Sequence, residues 1–171
     1  MSYSEVPGCG YCDALEGRCR SEPLAFDDGR FAVFMGRYQP TGPGYALVVP
    51  RRHVQDLHSL PDLDCGPMLQ MVRRTSAAVR QAFGASGTTV VLNNGSPGQS
   101  VPHLHFHVVP RRPGDGYPRR SNDPEHEDAL ILQALALAAA LGESDVEQTK
   151  APITYVIGAS DLRFPGGAEG I

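Results

Sequence analysis

Only one lysine, Lys150, occurs in the 171 residues, every other basic side chain being arginine. A basic excess is missing too: the formal net charge is -4, unlike the positive footprint with which a general nucleic-acid binder attracts phosphate backbones. Positive charge is local instead, in the pairs Arg51-Arg52, Arg73-Arg74, Arg111-Arg112 and Arg119-Arg120, any of which could hold a phosphate. Long apolar runs are absent. The stretch from Ala129 to Leu141 falls short of the roughly 20 residues that a membrane span needs. No charged start followed by an apolar run opens the sequence. These absences point to a soluble, cytoplasmic protein with no nucleic-acid or membrane partner. In that compartment the four cysteines suit thiols or metal ligands better than disulfides.

No internal repeat and no second core is visible, and the length fits one domain. Leu24 to Phe26 and Phe31 to Met35 flank Asp27-Asp28-Gly29, a hairpin signal because the Asp-Gly turn supplies the positive φ of a tight reversal. Tyr45 to Val49, between Gly44 and Pro50, reads as a further strand. Leu69, Val72, Ser76, Val79 and Phe83 recur at helical spacing from about Leu63 to Phe83, and Gly84 follows as a stop. Thr88 to Leu92 is β-branched and apolar, which predicts an interior strand. Asn93 to Gly98 is a loop by composition, and Arg111 to Asn122 is another. A helix should follow from Glu127 to Leu141, opened by Asn122-Asp123-Pro124-Glu125. Strands joined by turns, with one long helix inserted between them, favour α+β with a mostly antiparallel sheet of about five strands. Residues 1-141 form the domain in this reading, and 142-171 a tail with one strand-like stretch, Ile153 to Ile157.

The richest segment is Ser100-Val101-Pro102-His103-Leu104-His105-Phe106-His107-Val108-Val109-Pro110-Arg111. On a strand the side chains alternate between faces. His103, His105 and His107 would then share one face while Leu104, Phe106 and Val108 enter a core. A single histidine is more often structural than chemical. Three together need partners for every ring nitrogen, and metal binding or catalysis by imidazole gives them a purpose.

Gly98 to Arg111, together with Asn93-Asn94-Gly95, the Gly44 to His53 block and Cys9 to Cys12, resembles the histidine triad (HIT) nucleotide hydrolases and transferases over roughly residues 9 to 141. The resemblance implies the HIT-like fold and a homodimer. It also implies cleavage at the α-phosphate of a nucleotide conjugate, a phosphoramidate or a dinucleoside polyphosphate, through a covalent nucleotidyl-histidine. By position, His105 is the nucleophile, a role that suits neutral imidazole near pH 7. His107 would bind phosphate or assist the leaving group, and Ser100 would hydrogen-bond the leaving atom or a phosphate oxygen. Asn93 would touch phosphate or orient the triad, and the backbone N-H groups of Gly98, Gln99 and Ser100 would face developing charge.

A CxxC pair, Cys9-Gly10-Tyr11-Cys12, supplies half of a tetrahedral zinc site. In the zinc-containing bacterial branch of the family the other ligands come from a Pro-x-x-His and from the first triad histidine. Here those are His53, in Pro50-Arg51-Arg52-His53, and His103. The resemblance thus implies a structural zinc on Cys9, Cys12, His53 and His103. A redox dithiol or two inert thiols are the alternatives for the cysteines. Cys19 and Cys65 belong to no motif, His58 reads as a surface residue and His126 as part of the last helix's first turn.

Departures in the pocket and in the tail limit the resemblance; related enzymes imply that a tail such as 142-171 borders the leaving-group side of the pocket or the dimer interface. The usual Phe-φ-Asp-φ-x-Pro, whose aspartate binds the ribose hydroxyls, is here Met35-Gly36-Arg37-Tyr38-Gln39-Pro40. Arg37 has only donors, which suit a phosphate rather than a sugar hydroxyl that needs an acceptor. Tyr45 stands where histidine is common, which reshapes the pocket floor. An altered pocket also permits a different class of function, a HIT-fold nucleotide-binding or interaction module with little turnover. A catalytic metal held by the triad is a third possibility.

Overall fold

A computed structural model describes residues 8-18, 23-118 and 124-143. The expected stretch Ile153 to Ile157, Cys19, Arg119-Arg120 and the Asn122-Asp123 helix opening lie outside them. Along the chain run α1 (Gly10–Leu15), β1 (Leu24–Asp27), β2 (Phe31–Met35), β3 (Ala46–Pro50), α2 (Asp62–Phe83), β4 (Gly87–Leu92), β5 (Phe106–Arg111) and α3 (Glu127–Glu143). All five strands pair antiparallel in the order β1-β2-β3-β5-β4. This is the expected α+β architecture.

The first hairpin forms as its sequence dictates. Asp27 Oδ1 accepts from the Gly29 N-H at 2.8 Å, Asp28 Oδ1 accepts from Arg30 and Phe31, and Gly29 takes a φ of 83°. These side-chain acceptors fold the backbone locally before any distant contact is made. The resulting sheet buries both faces. Ala25, Val33, Met35, Ala46, Val48 and Val108 meet Met68, Val72, Val79, Leu130 and Leu137 of α2 and α3. On the opposite face Ala32, Phe34, Leu47 and Val49 meet Cys9, Tyr11 and Cys12 of the α1 segment. A strand buried on both sides has no room for alternation, and β2 and β3 accordingly read as continuous apolar runs.

Helix α2 contains Pro67, which has no N-H to give to Leu63. The carbonyl left without that partner accepts from Arg30 Nη2 at 2.9 Å, which fastens the first hairpin to the helix start. Gly84 ends the helix in the left-handed region at φ 61°. The expected helix is present, but its stripe is rotated. Val72 and Val79 are buried and Phe83 packs on the core, whereas Leu69 is 63% exposed. Met68, Met71 and Thr75 take the inward positions.

Two further expectations are corrected. Thr88 to Leu92 is an edge strand and not an interior one, because β5 inserts between it and β3; its β-branched residues suit a half-covered surface equally well. The histidine segment is not one strand. Pairing begins only at Phe106, opposite Val48 and Leu92, since the chain after β4 has already turned away at Asn93. The Leu104 N-H bonds Val54 O at 2.6 Å instead. Cys9 to Cys12, to which the sequence assigns no element, opens a short helix with Cys9 at its N-cap.

Loop 36-45 is closed from inside. Gln39 Nε2 donates to Gly36 O at 2.5 Å, its Oε1 accepts from the Tyr45 N-H at 2.9 Å, and the Gly36 N-H donates to Tyr45 O at 2.8 Å. Gly44 sits at φ 109°, and a Cβ there would lie 2.6 Å from the Phe83 ring. Its N-H donates to Gln133 Oε1 at 3.0 Å. Only glycine meets both demands. Arg112 donates to Thr41 O, Pro43 O and Phe83 O, and Arg111 to Asp115 and Thr89. This arginine pair therefore holds loops and the end of α2 and is not open to a phosphate. Arg51 is likewise engaged, with Asp27 and Glu16.

Candidate active site and metal centre

The irregular approach to β5 makes the site. His103 is fully buried beneath α1 and donates from Nε2 to Pro50 O at 2.8 Å. That bond leaves Nδ1 facing the cysteines, 3.4 Å from Cys9 Sγ and 3.6 Å from Cys12 Sγ. His53 Nδ1 lies 3.3 Å from Cys12 Sγ, and the four ligand atoms all fall within 4.8 Å of one another. Zinc bonds to sulfur and nitrogen at tetrahedral angles imply an S···N edge of about 3.6 Å. The observed spacings fit such an edge. Two thiols and two imidazoles, one of them oriented by a backbone carbonyl, are the donor set of a closed structural site. The structure thus brings together all four residues of the expected metal group.

His105 is 4% exposed, with Nδ1 2.7 Å from His103 O. A carbonyl only accepts, so Nδ1 carries the proton and Nε2 keeps its lone pair. Burial pushes the His105 pKa down, opposed by that same bond, which keeps the lone pair free near neutrality. Tyr11, inside the CxxC segment, lies with its ring centre 5.3 Å from that of His105 and 5.6 Å from that of His103.

His107 is the one triad residue within β5, opposite Leu47 and Val91. Its ring stands edge-on to that of His105 at 4.8 Å. Asn93 Nδ2 lies 3.2 Å from His107 Nε2, and the Tyr45 hydroxyl 2.5 Å from Nδ1. Burial, followed by the neighbouring His105 charge, lowers the His107 pKa to about 4. The ring is neutral at pH 7.

Gln99 does not stand open to a substrate. Its Nε2 donates to Gln55 O, Val101 O and His103 O, its Oε1 accepts from the Gly95 N-H, and its own N-H bonds Gly95 O. The expectation that this N-H faces developing charge is therefore corrected: Gln99 braces the loop that carries the triad. Gly98 and Ser100 are exposed on that loop. Arg37 is also exposed, and its carbonyl accepts from the Glu125 N-H at 2.8 Å. His58 lies in a short turn of helix, Leu57–Ser59, and His126 just before α3; both are exposed. Composition gave no sign of the contacts from Tyr11, whose partners lie in a distant segment, or from Gln99, which ties Gln55 to its own loop. Tyr45 was visible only as a departure.

A five-stranded antiparallel sheet whose last strand, with the approach to it, carries a histidine triad beside a largely buried Cys2His2 group defines a class, the α+β proteins of histidine-triad architecture. Residues 21-114 match the HIT domain model, and the chain belongs to this family. It is 36% identical over 128 residues to the adenosine 5'-monophosphoramidase of Schizosaccharomyces pombe, covering 71% of this chain and 92% of that one. An uncharacterised HIT-like protein of Methanocaldococcus jannaschii is 31% identical over 109 residues, 63% of this chain and 82% of its own. Among solved structures, a zinc-bound histidine triad protein of Mycobacterium smegmatis superposes with a TM-score of 0.68 at 30% identity, covering 81% of this chain and 96% of that one. Among the described residues no helix is long and apolar enough to cross a membrane.

Proposed function

We propose that the protein hydrolyses nucleotide conjugates at the α-phosphate, nucleoside phosphoramidates first among them, through a covalent intermediate on His105. The observation that carries this reading is the bond from His105 Nδ1 to His103 O, which leaves Nε2 as the nucleophilic atom. Nε2 forms a bond to phosphorus while the bond from phosphorus to the leaving amine breaks, and the amine departs with an added proton. Water then attacks phosphorus, returns the electron pair to Nε2 and releases the nucleoside monophosphate. Two displacements let one site accept different leaving groups. Asn93 and Ser100 hold the phosphoryl oxygens in this scheme, with Gly98 lining the loop beside them, and the unprotonated Nε2 of His107 takes a proton from the attacking water. The S. pombe relative, a phosphoramidase by name, supports the substrate class.

Cys9, Cys12, His53 and His103 would hold the structural zinc, four protein ligands leaving no position for water. The zinc-bound M. smegmatis neighbour supports this assignment. The edge position of β4, with Val90 44% exposed, suits a homodimer in which a second copy continues the sheet.

Intact mass measured within one turnover of adenosine 5'-phosphoramidate checks the reading. The expected result is a transient gain of one adenylyl group, with monophosphate and free amine released. Neither adduct nor release across phosphoramidates and dinucleoside polyphosphates would overturn it.

Arg37 favours one alternative, a binding module with little turnover, because it stands where the family's ribose-binding acid is found. Arg37→Asp restores an acceptor and is expected to raise kcat/KM for nucleoside substrates about ten- to a hundredfold, the effect of a charge-assisted pair of hydrogen bonds. Steady-state kinetics of both proteins on one substrate panel would show it. An unchanged ratio would place the sugar contact elsewhere.

A further inference from the structure

The reading of His105 as nucleophile leaves Tyr45 and Gly36 without a task. Their geometry is specific. The Tyr45 and His107 rings are within 7° of parallel, with centres 6.0 Å apart, while the hydroxyl is 2.5 Å from Nδ1. The contact is therefore made edge to edge through oxygen and not by stacked faces. Gly36 makes room for it, because a Cβ at residue 36 would run into the Tyr45 ring. Gln39 fixes the Tyr45 backbone from both sides. On the far edge of the imidazole, the Asn93 amide nitrogen donates to Nε2. An acceptor at Nε2 requires a neutral ring to carry its proton on Nδ1, where the tyrosine oxygen accepts it.

We propose that Tyr45 is the positioning residue for His107, fixing both the plane of its ring and its Nδ1-H tautomer, with Gly36 as the gap that admits the phenol. The sequence departure at 36 and 45 is then one change and not two, since a side chain at 36 and a tyrosine at 45 exclude each other. The consequence lies on the reaction path. With Nδ1 bonded to tyrosine, only Nε2 turns toward Asn93 and His105. That edge carries the lone pair and is the one able to take a proton from water. A ring free to rotate would present the wrong nitrogen for much of the time, and orientation errors of this kind lower the rate of the bound complex more than they weaken binding.

This inference rests on the proposed hydrolysis for its kinetic consequence and on geometry alone for the hydrogen bond. Tyr45→Phe keeps the ring and removes the oxygen. Histidine ¹⁵N spectra of the full chain are expected to show His107 protonated on Nδ1 in the wild type and shifted toward Nε2 protonation in Tyr45→Phe. With adenosine 5'-phosphoramidate, kcat should fall about ten- to a hundredfold, as for a buried hydrogen-bond group left without its partner, with KM changed much less. Gly36→Ala, which displaces the ring while keeping the hydroxyl, should give the same spectral shift and the same kcat-weighted loss, and it decides the matter if Tyr45→Phe does not fold. An unchanged His107 spectrum in the folded variant would overturn the proposal, as would an unchanged kcat beside a raised KM. If the wild type turns over no nucleotide, the proposed hydrolysis fails, while the spectra still decide whether Tyr45 holds His107.

Discussion

His105→Ala is expected to abolish phosphoramidate turnover, lowering kcat by about four orders of magnitude or more, the scale seen when a covalent nucleophile is removed. No neighbour can replace it. His103 has Nε2 on Pro50 O and Nδ1 against the two cysteines, and His107 has both nitrogens engaged by Tyr45 and Asn93. The fold should survive the change. His103 O keeps a donor in Gln99 Nε2 at 3.3 Å, so the loss is mainly that of a buried ring and its cavity, about 1-3 kcal/mol. For a chain of this length that corresponds to a fall in Tm of roughly 2-10 °C. Rate measurements under single-turnover conditions, with circular dichroism on the same sample, separate the two effects. Wild-type turnover in a folded His105→Ala protein would remove the nucleophile from this position and with it the whole covalent scheme.

How much of this site is legible in the sequence depends on how local its causes are. The first hairpin was readable because Asp27, Asp28 and Gly29 write their turn in consecutive residues, and the long helix because Gly84 marks its end. The alternation of Leu104, Phe106 and Val108 against the three histidines correctly separates a core side from a chemical side. It misplaces the start of the strand, because pairing depends on where β3 and β4 run out and not on the histidine segment itself. Likewise Thr88 to Leu92 has the composition of an interior strand, while its position at the edge is a matter of sheet order. The Cys2His2 group is readable as a set through family likeness, and the structure adds the Pro50 carbonyl that turns His103 toward the cysteines. Gln99 shows the opposite failure. A residue beside a catalytic loop invites a substrate role, yet its amide is already shared among four backbone groups from residues 55 to 103.

Removing the proposed zinc is expected to cost both stability and the proposed activity, and the reason lies in how little else holds α1. The helix has six residues and its N-cap, Cys9, makes no side-chain capping bond. So short a helix does not persist in water unaided. Its ion pairs, Arg18 with Asp13 and Arg51 with Glu16, join exposed or partly exposed groups and contribute about 1 kcal/mol each at most. Its main attachment is the burial of Cys9, Tyr11 and Cys12, with Ala14 and Leu15 packed partly buried beside them, and two of the three buried residues are the proposed ligands. With the ion gone, two thiols and two imidazoles are left facing one another in a nearly dry pocket, so the segment should detach. Tyr11 would then leave His105 and His103, and the His103 carbonyl that orients the nucleophile would lose the anchoring of its own side chain. Chelation, or Cys12→Ser, should therefore lower Tm by about 10 °C or more, since a loss of a few kcal/mol has that effect in a chain of this size. Elemental analysis should give about one zinc per chain before treatment, restored on adding zinc to the chelated wild type but not to Cys12→Ser. His105→Ala should retain its zinc in the same assay. A Cys12→Ser protein with wild-type Tm and wild-type kcat would show that α1 stands without the metal, and would disconnect the Cys2His2 group from the nucleophile it underlies.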